Sequence, residues 1–355
     1  MKLGLGLYRH MLDRDNYRFA RQAGATHIVA HLADYFRPGK LSTASGDEVW
    51  GQAAGSTHWT YDELRALRQE INDEGLELAA LENFDPGHWY DVLLDGPRKR
   101  EQLENIKKTI RNMGRAGIPS MGYYFSIAGV WGRTEIQTAW GGATAVGFLE
   151  SQMPEETPIP NGTVWNMVVD DAAPPGYLPE VTQDEIWGRL EDFLASIVPV
   201  AEESGVRLAA HPDDPPLPVL RGMARLVTQP QHYQRLLDLR PSHHNALEMC
   251  LGTISEMAEG EFDLYEAVDC YSRQGKIAYI HFRNVRGKAP NYEEVFVDEG
   301  DIDMFRVLQI LHGNGFEGVL VPDHTPQMTC DDPWRAGMAH ALGWMGGSLN
   351  ALQRG

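Results

Sequence analysis

The sequence predicts an α/β chain that closes as a TIM (β/α)8 barrel. Three observations lead there. Eight short apolar runs alternate with helical stretches along a single chain of 355 residues. Eight parallel strands close a barrel, and this length fits one once insertions are allowed. The main rival, an open doubly wound sheet, usually carries a Gly-rich phosphate loop after an early strand. Gly4-x-Gly6 lacks the third glycine at that offset and lies inside the first strand instead of after it.

The elements follow in order. A first strand is read at residues 3–8, a helix at 14–23 closed by Gly24, and a second strand at 26–31 centred on Ile28-Val29-Ala30. Residues 33–56 form a long polar loop, of a length that usually covers something. Thr60 caps a helix that runs to about residue 73 and stops at Gly75. The third strand is read at 76–82, a helix at 97–116 closed by Gly117, and the fourth strand at 120–127. Residues from about 128 to 179 are rich in Gly, Pro and Trp. They read as an irregular insertion after strand four, because their aromatics need burial. Thr182 caps a helix ending at Ser204-Gly205, and the fifth strand is read at 207–211. Helical material follows at 223–226 and 231–237, then strand six at 245–251 and a helix at 262–274. Strand seven at 276–284, a helix at 303–312, strand eight at 319–323 and a last helix at 333–352 complete the series. No linker or repeat interrupts it, so residues 1–355 read as one catalytic domain.

Bulk composition narrows the function. The formal net charge is −19, from 50 acidic against 31 basic residues. That argues against nucleic acid or an anionic membrane surface as a partner, though not against a small anionic substrate. Cys250, Cys270 and Cys330 are too few and odd in number for a disulfide framework, which fits a reducing cytoplasm. The N-terminal apolar stretch is too short for a signal peptide, and no run approaches the roughly 20 apolar residues of a membrane span.

In a barrel of this kind the active site lies at the C-terminal ends of the strands. Strand five ends in His211-Pro212-Asp213-Asp214-Pro215-Pro216, where the prolines stop the ladder and stiffen the loop. Strand three ends in Glu82-Asn83-Phe84-Asp85, and strand six in Glu248-Met249-Cys250-Leu251-Gly252. Strand seven carries His281-Phe282-Arg283-Asn284, and strand eight Asp323-His324-Thr325-Pro326. Four consecutive strands thus offer His211, Cys250, His281 and Asp323 at similar depth, a plausible set for a divalent transition metal. Each alone has an ordinary reading: a strand Cys is usually a small core residue, and a strand His a hydrogen-bonded one. Their conjunction carries the metal reading. His324 is a candidate acid or base if the strand is already breaking into its loop, since adjacent strand residues face opposite ways. Arg283 and Arg133 can each grip a substrate carboxylate with two hydrogen bonds, against the plainer alternative of a surface ion pair.

At these residues the sequence resembles the D-mannonate dehydratases of the xylose-isomerase-like barrel group. The specific strings are His211-Pro212-Asp213-Asp214-Pro215-Pro216 and His281-Phe282-Arg283-Asn284-Val285. Trp131-Gly132-Arg133-Thr134, Cys250 with Gly252, Gly300-Asp301-Ile302-Asp303-Met304 and Asp323-His324 support them. The resemblance implies that His211, Cys250, His281 and Asp323 hold Mn2+, with Fe2+, Co2+ or Ni2+ as alternatives, and that His324 is a catalytic acid/base. Arg283, Asn284, Arg133 and Asp213 make up the expected substrate-binding set, Asp213 as a group that fixes its loop rather than as a ligand. The implied reaction dehydrates D-mannonate to 2-keto-3-deoxy-D-gluconate. The expected partner is a small sugar acid or related polyol, and the expected assembly a homo-oligomer. Two positions depart from the family pattern. Met338 stands where a catalytic tyrosine falls, and Val297 stands near a usual histidine. His340 or Tyr292 are the candidates to replace that tyrosine. A sugar isomerase, epimerase or β-eliminating lyase on the same metal site is the alternative reading, and a retired barrel that only binds sugar is the third.

Overall fold

The structure, a computed structural model, describes residues 1–36, 49–257 and 262–354. Eight parallel strands close a barrel: β1 (Lys2–Leu7), β2 (His27–His31), β3 (Glu77–Glu82), β4 (Ser120–Tyr123), β5 (Arg207–Ala210), β6 (Asn245–Cys250), β7 (Ile277–His281) and β8 (Val319–Val321). Each strand pairs with its chain neighbours, and β8 returns to β1. The helices are α1 (Arg14–Gln22), α2 (Tyr61–Asp73), α3 (Pro86–Leu94), α4 (Lys99–Ala116), α5 (Gln183–Ser204), α6 (His232–Leu239), α7 (Leu251–Glu256), α8 (Leu264–Arg273), α9 (Met304–Gly313) and α10 (Pro333–Arg354). Their starts are written in the sequence. Thr60 with Glu63, Thr182 with Glu185 and Asp263 with Glu266 form reciprocal capping boxes. Gly117 and Gly205 end α4 and α5 in left-handed backbone at φ 73° and 68°, which glycine adopts without strain.

Two cores result. The large one packs helices on the outer barrel face, with Leu5, Ile28, Phe193 and Met338 among its members. The small one fills the barrel with Val29, Ala80, Ala209, Tyr279, Val319 and Val321. Alternation along a strand then dictates what lies one layer higher. Two residues past Val29, Ala80, Ala209, Tyr279 and Val321 stand His31, Glu82, His211, His281 and Asp323. Register holds them level, with His31 opposite Glu82 and Cys250 opposite His281.

Several expected elements differ. The polar loop at 33–56 falls partly on residues 37–48, which lie outside the described residues. Helix α3 is absent from the sequence reading; Asp85 caps it, with its side chain accepting from the Gly87 N–H. Residues 223–226 are not helical, because Met223–Ala224 pairs with Val219–Leu220 in a tight hairpin. Strand seven stops at His281 instead of residue 284. From there Asn284–Lys288 and Asn291–Val295 form a hairpin. The segment read as irregular contains a second hairpin, Thr134–Ala139 with Ala143–Leu149. The two hairpins join as one four-stranded sheet, in which Asn291 pairs with Leu149.

His88, in the first turn of α3, has a measurable consequence. It is buried against Trp59, with Nε2 3.1 Å from the Ser56 hydroxyl. Burial, and then the nearby His58, push its pKa down to about 4. The unfolded chain therefore takes up this proton first, near pH 6.5, so the stabilisation is complete above that pH and is lost as pH falls to about 4. Linkage puts the loss at about 3 kcal/mol. Urea unfolding at pH 7 and pH 4 is expected to show wild type losing that much more than His88→Gln; equal losses would contradict the assignment.

Candidate metal and active site

The strand ends surround a cavity of about 450 Å3. On its floor, His211 donates from Nδ1 to the Pro212 carbonyl at 2.7 Å, which turns Nε2 inward. Burial works against a charge on this imidazole, but Glu248 and Cys250 outweigh it and hold its pKa at about 9. Cys250 is fully buried and accepts from the Thr253 hydroxyl at 3.1 Å and from Arg283 Nη2 at 3.3 Å. Burial raises a thiol pKa, yet Arg283 and the neighbouring His211 and His281 pull this one well below its usual range. A thiolate at neutral pH is the form that binds metal.

His281 lies between carboxylates. Its Nε2 is 3.1 Å from both Glu82 Oε2 and Glu248 Oε1. Its Nδ1 is 3.5 Å from Asp323 Oδ2, buried and without a hydrogen-bond partner. Donor atoms of His211, Cys250 and His281 all lie within 4.8 Å of one another. Asp323 adjoins this trio through His281, its backbone at φ 59° just past the end of β8. Burial disfavours the charge of Asp323, but His281, His324 and Arg283 hold its pKa far below the carboxylate range. Two imidazoles, a thiolate and a carboxylate form a donor set for Mn, Fe, Co, Ni or Zn, and the unpartnered Nδ1 of His281 gives such an ion a place to bind.

His324 lines the cavity beside Asp323. The left-handed turn at Asp323 lets both neighbours face it, as a strand-to-loop break requires. His324 donates from Nδ1 to Glu294 Oε2 at 2.8 Å, with Nε2 3.5 Å from Asp323 Oδ1. Burial lowers its pKa, but Asp323 and Glu294 outweigh that and raise it. Arg133 also lines the cavity, tied to Asp214 at 2.5 Å and Glu294 at 3.3 Å.

Three expected substrate-binding residues do not line it. Arg283 is 1% exposed and held by Asp214, Glu256, Glu294 and Asp323 at 2.7–3.2 Å, so its fork is already occupied by protein carboxylates. Asn284 donates to the Val297 and Ile302 carbonyls and accepts from the Val285 and Ile302 N–H groups, fixing the turn out of β7. Asp213 pairs with Arg225 at 2.6 Å and accepts from the Leu226 and Val227 N–H groups, so it braces its loop from within. Neither substitute for the missing tyrosine reaches the cavity. Tyr292 donates to Asp214 Oδ1 at 3.1 Å beneath the cavity wall, and His340 pairs with Asp298 at 3.1 Å elsewhere. Met338 is core.

Sequence reasoning gave no role to Tyr8, His31, Tyr35 and Glu82, which line the cavity, or to Glu248 below it, and it read Asp214, which also lines the cavity, only as a group that fixes its loop. For the carboxylates a signal existed: Glu248 stands two residues before Cys250 inside an otherwise apolar strand, in phase with it.

Comparison with known proteins follows the same lines. The family model for D-mannonate dehydratase matches residues 8–347. A mannonate dehydratase of Streptococcus pneumoniae (strain 70585) is 32% identical over 303 residues, covering 80% of this chain and 78% of that one. The crystal structure of mannonate dehydratase from Streptococcus suis serotype2 superposes with a TM-score of 0.79 at 26% identity, covering 100% of this chain and 94% of that one. A structure of L-ribulose 3-epimerase gives a TM-score of 0.56 at 15% identity, covering 99% and 96%, a likeness of fold alone.

Proposed function

Because this chain belongs to the D-mannonate dehydratase family of hydro-lyases, we propose that it removes water from D-mannonate to give 2-keto-3-deoxy-D-gluconate. The observation that carries this reading is the convergence of His211, Cys250 and His281 at the foot of a cavity walled by His324 and Arg133. His211, Cys250, His281 and Asp323 hold a divalent cation, Mn2+ or else Fe2+, Co2+ or Ni2+. When bound, that ion supplies the positive charge needed beside a carbanion next to a carboxylate.

The chain's own groups do the rest. Arg133 orients the substrate carboxylate from the wall. A base takes the proton from C2, and an acid protonates the 3-hydroxyl as it leaves, so one water is lost and the enol relaxes to the ketone. The acid is His324, whose pKa Asp323 and Glu294 raise against the effect of burial. The base is His31, which lines the same cavity and whose pKa burial lowers against the pull of Glu82. Two imidazoles pushed in opposite directions are suited to opposite roles. One observation favours a second reading, an isomerase or epimerase on the same site: Met338 is core, and among the described residues no side chain of α10 lines the cavity.

Metal analysis of the purified protein, followed by a screen of aldonates and uronates for a keto-deoxy product, tests both readings. Metal without dehydration of any aldonate would select the second. Cys250→Ser is expected to weaken Co2+ and Ni2+ binding at least on the order of tenfold, and more than Mn2+, because a thiolate favours softer ions. Unchanged metal content and activity in that variant would remove Cys250 from the site.

A further inference from the structure

Beneath the metal donors lies a group of buried polar side chains that the proposed reaction leaves unused. Glu82 and Glu248 both point into the barrel, and both are buried. The Tyr279 hydroxyl lies between them, 2.5 Å from Glu248 Oε2 and 3.2 Å from Glu82 Oε2. Above them, His281 Nε2 is 3.1 Å from Glu82 Oε2 and 3.1 Å from Glu248 Oε1.

The barrel is shaped to hold this group. Ala80 and Ala209 keep the surrounding layer small around Tyr279. Gly122 on β4 is the closest fit: a Cβ there would run into the Tyr279 hydroxyl and the Glu248 carboxylate. Two carboxylates so close in a closed interior cost stability, since desolvation and mutual repulsion both oppose them. An apolar filling would be the stable choice for the inside of a barrel.

What the pair faces explains its presence. A ligating imidazole has one nitrogen for the metal and one for an outer partner, and the outer partner decides which is which. For His281 the hydrogen-bond partner at Nε2 is Glu82 Oε2, with Glu248 Oε1 3.1 Å away as a further close oxygen, and the nitrogen left without a hydrogen bond is Nδ1, on the Asp323 side. We propose that Glu82, Glu248 and Tyr279 form a buried polar platform that holds His281 with its Nε2–H turned down, so that Nδ1 is the atom offered to the divalent cation. They are positioning residues, acting through His281. The proposal rests on the metal reading above.

The test separates positioning from packing by the sign of two measurements. Wild type, Glu248→Gln and Glu82→Gln are stripped of metal, and Mn2+ and Co2+ affinities are measured by competition with a fluorescent chelator. The apo melting temperature of each is recorded alongside. Both variants are expected to bind about tenfold more weakly, because an amide oxygen is a weaker outer partner for the His281 N–H than a carboxyl oxygen. Their apo melting temperatures are expected to stay the same or rise, because the crowding of two buried carboxyl groups is relieved and an acceptor oxygen remains. Tyr279→Phe, which frees the carboxylates without removing them, is expected to give a smaller loss in the same direction.

Wild-type affinity in both Gln variants would overturn the platform. So would a parallel fall in affinity and apo stability, the signature of packing alone. A second equivalent of metal in wild type that Glu248→Gln abolishes would overturn it too, by making the pair ligands. Wild type without stoichiometric metal would remove the metal reading and the platform together, which distinguishes the two failures.

Discussion

Replacing His324 by asparagine is expected to lower turnover by about 10²–10⁴-fold while leaving the bound metal in place. The argument is geometric. His324 reaches Glu294 through Nδ1 and turns Nε2 toward the cavity. Asparagine keeps a donor for Glu294 but has no second nitrogen from which to deliver a proton. Its neighbour Asp323 retains His281 and Arg283 as partners. Rate and metal content are to be measured on the same preparation, with the best aldonate found for wild type. If more than a tenth of the activity survives, His324 is not the acid. If the metal is lost, His324 belongs to the metal site instead.

Arg283→Met is expected to destabilise the protein by about 3–5 kcal/mol, a fall in melting temperature of about 4–7 °C. No part of the guanidinium is free. Asp214, Glu256, Glu294 and Asp323 surround it, and Cys250 accepts from it. Burial and the charge of Asp214 already raise the pKa of Glu256. Asp214, Glu294 and Asp323 are ionised, and only Arg133 would remain to pair with Asp214, and Arg133 and His324 with Glu294. Methionine fills the volume and leaves the charges. Urea denaturation is the measurement; a loss under 1 kcal/mol would show that the network does not depend on this residue.

The barrel was legible because its signals are local and repeated. Apolar runs, capping boxes such as Thr60 with Glu63 and terminal glycines such as Gly117 recur along the chain, and each is read within a few residues. The convergence of His211, Cys250 and His281, with Asp323 beside them, was legible for a related reason. A closed barrel brings all strand ends to one rim, so position along a strand substitutes for position in space. That logic fails wherever the chain leaves the barrel. Arg283 lies only two residues past His281, yet a turn braced by Asn284 sends it under the cavity into a nest of carboxylates. Asp213 and Asp214 are adjacent, but one braces the loop on Arg225 and the other lines the cavity. Nothing in a one-dimensional pattern separates them. Glu294 and Tyr292 arrive from a hairpin whose partner strand is read some 140 residues earlier, and short polar strands of that kind carry little periodic signal.

The sheet made by those two hairpins sets a timetable for synthesis. Residues 143–149 emerge from the ribosome with one edge of their hairpin unpaired, and the strand that covers it begins at Asn291. At ordinary elongation rates the wait is roughly 10–30 s. Through that interval the chain carries an open edge, the kind of surface that templates pairing with other chains. Glu135, Gln137 and Thr138, polar and mostly outward on the other strand, make that hairpin a poor template. Arg133, which precedes this hairpin, meets Glu294 only when the wait ends, so the wall of the cavity is among the last parts of the molecule to be assembled.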